Sequence, residues 1–160
     1  MNTATASLSV ESPAKILLPA LVGGFAAATL DAISAFATFG AAMPKAIASG
    51  LLGASALQGG TGAWILGLAL HFFILIAAGL LYGIATWRWP FLRANFLLFG
   101  IYYGISIYLF MNLVVLPLSA LPFPVGPFKV SAILKGLIAH IVLVGLPIAA
   151  SFRFIGKPPG

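Results

Sequence analysis

The 160-residue chain is 62% hydrophobic and only 6% charged, whereas about a quarter of a soluble domain is charged. So few charges cannot cover so apolar a core, which excludes a water-soluble fold and predicts a single all-α membrane domain. The absence of cysteine excludes disulfides, thiolate catalysis and cysteine-ligated metals. The formal net charge of +6 does not indicate nucleic acid, because the basic residues flank apolar runs instead of forming a solvated stripe.

In chain order, residues 1–14 read as a polar, disordered tail. The charge-free run that follows is too long for a signal-peptide core and is expected to stay as a helix over about Lys15 to Phe39. A second helix is expected over about Gly62 to Thr86, with Trp64 at one end and Trp87 and Trp89 at the other. Those indoles are roughly 35 Å apart on an α-helix, close to the bilayer with its interfaces. A third helix over about Asn95 to Leu116 stops at Pro117, and a fourth runs over about Lys129 to Phe152. Together they predict a four-transmembrane-helix bundle over 15–153 with a C-terminal tail over 154–160. The first connection holds a short helix over Pro44 to Leu57, lying on the membrane surface or capping the bundle. The second, Pro117 to Pro127, holds four prolines and is expected to be extended and stiff.

Basic residues predict the orientation. Lys15, Arg88, Arg93, Arg153 and Lys157 fall on one side, and Lys45, Lys129 and Lys135 on the other. This bias places both termini and the middle loop in the cytoplasm. Gly67-Leu-Ala-Leu-His71 in the second helix and Gly136-Leu-Ile-Ala-His140 in the fourth hint at two similar hairpins related by an axis along the membrane normal.

Ionisable groups inside lipid are costly and face the bundle interior. Three occur in the predicted spans, Asp31, His71 and His140, and Asn112 joins them as a strong polar group. At about 1.5 Å per residue all four fall within a turn or two of one depth. Each shares an i, i+4 row with small residues, where another helix packs. They are therefore expected to meet in one polar cluster in the half of the bundle that faces outside.

Three readings of that cluster compete. In one the groups only hydrogen-bond one another and fix helix register, as in a structural or accessory protein. In another they bind or translocate a small solute, ion or proton. In the third, His71, His140 and Asp31 ligate a divalent metal, or the two histidines hold a b-type haem. No short metal motif, nucleophile elbow or phosphate-binding glycine loop is present, which disfavours an enzyme. Partners implied are the lipid bilayer, with a homodimer or a membrane complex permitted by the glycine-rich helix faces.

Four segments carry a resemblance: Gly24–Ile33 (GFAAATLDAI), Ile47–Gly53 (IASGLLG), Gly67–Phe72 (GLALHF) and Tyr108–Ala120 (YLFMNLVVLPLSA). They resemble a family of small uncharacterised bacterial inner-membrane proteins. The resemblance runs from the first helix through the end of the third and includes Asp31, His71 and Asn112, with His140 outside it. It implies a bacterial inner-membrane location and four helices, and supplies no substrate or mechanism.

Overall fold

A computed structural model describes residues 14–124 and 129–156. The expected tails fall outside these residues, apart from Ala14, which opens the first helix, and residues 154–156. Glu11 and Lys157 also fall outside them, as does part of the proline-rich connection. The described chain is all-α, and four of its helical rods are long and apolar enough to cross a membrane.

The first span is α1 (Ala14–Phe39). A short 3₁₀ turn, Gly40–Ala42, follows. There Gly40 takes φ +66, a left-handed conformation that glycine adopts without steric cost. The chain thereby leaves the helix axis and enters α2 (Met43–Leu52), with Pro44 in its first turn. Gly53, also left-handed at φ +67, separates α2 from α3 (Ser55–Gln58). The single short helix expected over 44–57 is therefore two, the second closing at Gln58.

The second span is α4 (Thr61–Arg88). A turn containing α5 (Phe91–Ala94) leads into α6 (Phe96–Phe110). That rod continues through a π-helical segment, Met111–Val115, into α7 (Leu116–Leu118). The fourth span joins α8 (Val130–Ala139), a second π-helical segment His140–Gly145, and α9 (Leu146–Phe154).

Both π segments have the same cause. Each ends two residues before a proline, Pro117 or Pro147. A proline inside a helix lacks its N–H and crowds the carbonyl four residues back. Those carbonyls belong to Leu113 and Leu143, each within a π segment, where the wider turn relieves the crowding. Pro117 consequently does not stop the third rod, which runs to Leu118.

The spans pack in the order second, first, fourth, third: α1 packs on α4 and on α9, and α6 packs on α9 and its π segment. The core is built from the alanines of α1 (Ala20, Ala27, Ala28) against Leu75, Val144, Ile148 and Phe152. Large apolar side chains such as Phe25, Phe73, Leu81, Leu113 and Phe154 point outward. In water this exposure would cause aggregation, whereas in a bilayer it is the surface presented to lipid.

The two outermost members of this row, α4 and α6, are bridged toward the arginine-bearing end of the bundle. Tyr103 Oη donates to the Ala78 carbonyl (2.6 Å), and the Tyr103 ring lies 4.9 Å from that of Tyr82. At the opposite end α2 spans the gap. Its Pro44 backbone lies directly on Gly67 of α4, where an added Cβ would overlap the Pro44 carbonyl. Its Gly50 carbonyl accepts the Ala120 N–H (2.8 Å), just past the third rod. Met43, Pro44, Ala48 and Ser49 are buried. Of the two expected placements for this segment, the structure has the capping one, recessed about 9 Å below the end of α4 by the six residues from Thr61 to Gly67.

This seat predicts opposite outcomes for two glycines of one helix. Gly67→Ala forces the Pro44 backbone away and should lower stability by about 1–3 kcal/mol through overpacking. Gly62→Ala meets nothing within 4 Å and should be neutral or stabilise by about 0.4–1 kcal/mol. Thermal unfolding of both variants in one detergent checks the contrast.

Candidate functional site

His71 is buried on the face of α4 that meets α1. Its Nε2 lies 2.9 Å from the Ala28 carbonyl oxygen. A carbonyl can only accept, so Nε2 carries the hydrogen and, in the neutral ring, Nδ1 carries the lone pair. Asp31 Oδ2 sits 3.9 Å from the same Nε2, within ion-pair range but beyond a hydrogen bond. Ala28 and Asp31 lie one turn apart on α1, so one imidazole edge faces both.

His140 opens the second π segment. Its Nδ1 lies 2.9 Å from the Gly136 carbonyl on its own helix. By the same reasoning Nδ1 donates and Nε2 is the accepting nitrogen of the neutral ring. The Tyr108 ring packs edge-on at 5.4 Å and holds the imidazole in place. Gly136 makes room for that tyrosine, since a Cβ there would sit 2.7 Å from its ring.

Asp31, His71 and His140 line one cavity of about 90 Å³, closed by Ile47 of α2 and by Met111. At about 30 Å³ per water this holds a few small molecules and no porphyrin. A second, more open cavity of about 450 Å³ runs between α1 and α8, lined by Asp31, Ser34, Thr38, Ser131, Lys135 and His140. Asp31 and His140 line both cavities and so stand at the boundary between them.

Asn112 lies elsewhere. Its Nδ2 donates to the Tyr108 carbonyl one turn back (2.8 Å), and it does not line the cavity shared by the other three. Among the described residues no three His, Cys, Asp or Glu side chains gather closely enough to hold a metal ion. With the small cavity volume, this leaves both the divalent-metal and the haem b readings without a fitting site.

Lys135, Ser131, Ser34 and Thr38 were not expected at the site. Lys135 reads in sequence as a topological charge, and Ser34, Thr38 and Ser131 carry no motif of their own. The available signal was their spacing. Ser34 and Thr38 are four apart on α1, and Ser131 and Lys135 are four apart on α8, on the row beside Ala132–Gly136–His140. The two histidines also differ in their surroundings. Gly67, one turn before His71, receives the backbone of α2, whereas Gly136, one turn before His140, receives an aromatic ring. No family model, no curated protein and no solved structure matches the chain.

The bonding pattern separates His71 from Asn112 by experiment. His71→Ala leaves the cross-helix contact at Ala28 unmade beside a new void and should cost about 1–3 kcal/mol. Asn112→Leu removes only a bond within its own turn and should cost no more than about 0.6 kcal/mol, the usual value of a polar contact in a membrane. Unfolding midpoints of both variants in nanodiscs give the comparison.

Proposed function

We propose that this multi-pass membrane protein resides in a bacterial inner membrane with both termini in the cytoplasm. There its Asp31–His71–His140 cavity binds and passes a proton or a small solute bearing hydrogen-bond donors. The positive-inside bias and the resemblance to small bacterial inner-membrane proteins support the location. On that orientation the α2 end, with the open groove, faces outside.

One observation carries the functional reading: Asp31 and His140 line both the groove and the inner cavity. A proton or donor molecule entering between α1 and α8 meets those two groups before it reaches His71. The chemistry on offer is uniform. Asp31 supplies carboxylate oxygens, and each imidazole has one nitrogen committed as a donor to a main-chain carbonyl, which leaves its second nitrogen as an acceptor. The Asp31 oxygens at this cavity select a species that donates, so an anion is disfavoured. Lys135, on the groove wall, adds repulsion toward a free cation and favours a neutral donor or a proton handed between neutral groups. Further passage requires the layer of Tyr82, Tyr103 and Phe152 to open. The π segments beside the cavity are where the third and fourth rods can bend most cheaply.

The register-fixing reading retains one supporting observation. Each histidine is bonded to a helix carbonyl, as a purely structural polar contact would be. Purified protein in proteoliposomes loaded with a pH-sensitive dye distinguishes the two. Under an imposed potential, wild-type vesicles should acidify faster than empty ones, Asp31→Asn should abolish the difference, and His140→Gln should reduce it. If wild-type vesicles match empty ones for protons, and small alcohols and amines shift no melting temperature, the cavity is structural.

A further inference from the structure

The inner cavity has an apolar neighbour. Beneath α2, between α4 and the third rod, lies a cleft of about 220 Å³ lined by Ile47, Leu51, Leu70, Ile74, Met111 and Val115. Its lining is almost entirely apolar. Leu51, on its rim, is exposed, so the cleft opens on the surface that meets lipid.

Ile47, Ile74 and Met111 line the cleft and also line the cavity that holds Asp31, His71 and His140. These three side chains stand between the cleft and the cavity of polar groups. Met111 is an unbranched, easily rearranged side chain and opens a π segment. The opening has an architectural origin. α4 and α6 are bridged by Tyr103 toward the arginine-bearing end, whereas at the other end α2 roofs the space between them without filling it.

We infer that the site takes a single-chain amphiphile from the bilayer, with a hydroxyl or amine head donating to Asp31 and its hydrocarbon tail in the cleft between α4 and α6. This rests on the acceptor-walled cavity proposed above and adds the substrate class and the route of entry. The two cavities match the two halves of such a molecule. The polar one is too small for a large headgroup, which excludes a phosphodiester, and its walls accept hydrogen bonds, which excludes a carboxylate. In the apolar cleft the one side-chain hydroxyl of the lining, Ser119, already donates to the Leu116 carbonyl, and there is room for part of one chain.

A photolabelling experiment tests this on the full chain in phosphatidylcholine nanodiscs. The probe is hexadecanol or hexadecylamine with a diazirine at mid-chain, and the controls are a hexadecanoate probe of the same length and a diazirine-bearing butanol. The cross-linked residues are mapped by peptide mass spectrometry. The alcohol and amine probes should label Leu70, Ile74, Met111 or Val115 about tenfold more than the carboxylate probe, the difference expected from a hydrogen bond to a charged acceptor. Val115→Trp, which lines the cleft and not the polar cavity, should remove the long-chain labelling while leaving butanol labelling beside His71 unchanged, whereas Asp31→Asn should remove both. Labelling spread evenly over lipid-facing residues such as Phe73, Leu81 and Leu113, with no headgroup preference, would overturn the inference by showing annular contact only. Butanol labelling at the cavity without long-chain labelling in the cleft would overturn lateral entry and leave the solute site standing. Loss of both in the wild type would remove the site as well.

Discussion

In hydrocarbon a polar side chain has no water to fall back on, and His71 meets that constraint by donating to the carbonyl of Ala28 on a neighbouring helix. The remaining features of the site depend on this bond. It sets the tautomer, brings the imidazole edge to Asp31, and fixes α4 on α1 at the level where α2 crosses over. Ser151 does similar work lower in the bundle, lying 2.8 Å from the Pro19 carbonyl of α1 and 2.7 Å from that of Ile148 in its own helix. Hydroxyl and imidazole donors to main-chain oxygens thus tie the spans together, and glycines let the backbones come close enough for such bonds to form. At Gly104, for example, an added Cβ would lie 2.5 Å from Ile141 Cα.

The spans were legible in the sequence because hydropathy over about twenty residues is a large signal. The faces were legible for a related reason: rows of glycine and alanine mark helix contacts, and His71 and Asp31 lie on such rows. What a side chain does on its face was not legible. Asn112 sits on a row of small residues just as His71 does, yet its amide turns back to Tyr108. Periodicity gives the direction of a Cβ and leaves the choice between a neighbour's carbonyl and one's own to rotamer and local packing. The prolines illustrate a second limit. Pro117 reads as a stop, and the helix expected over 129–152 runs straight through Pro147, because sequence rules for soluble helices do not anticipate a turn that widens to π and continues.

The position of α2 was the least legible feature. Its composition fits a surface helix equally well, and nothing within residues 43–52 shows that Gly67 and Ala120, far along the chain, supply its seat. The site inherits that dependence. Ile47 of α2 helps close the cavity, so the environment of Asp31 and His71 is set by a segment that is neither a span nor an ordinary loop.

The seating of α2 also constrains how the protein assembles. Chains are threaded into membranes from the N-terminus as they are made, and helices insert before they associate. When α2 emerges, neither of its contacts exists: Gly67 belongs to the next span, and Ala120 follows the one after that. It can seat on Gly67 only once the second span is delivered, and its contact with Ala120 closes only after the third. Biogenesis of this small protein therefore has a late, non-sequential closing step. A ribosome-bound intermediate halted before residue 120 would hold the first two spans in the bilayer with the Gly50–Ala120 contact still unmade.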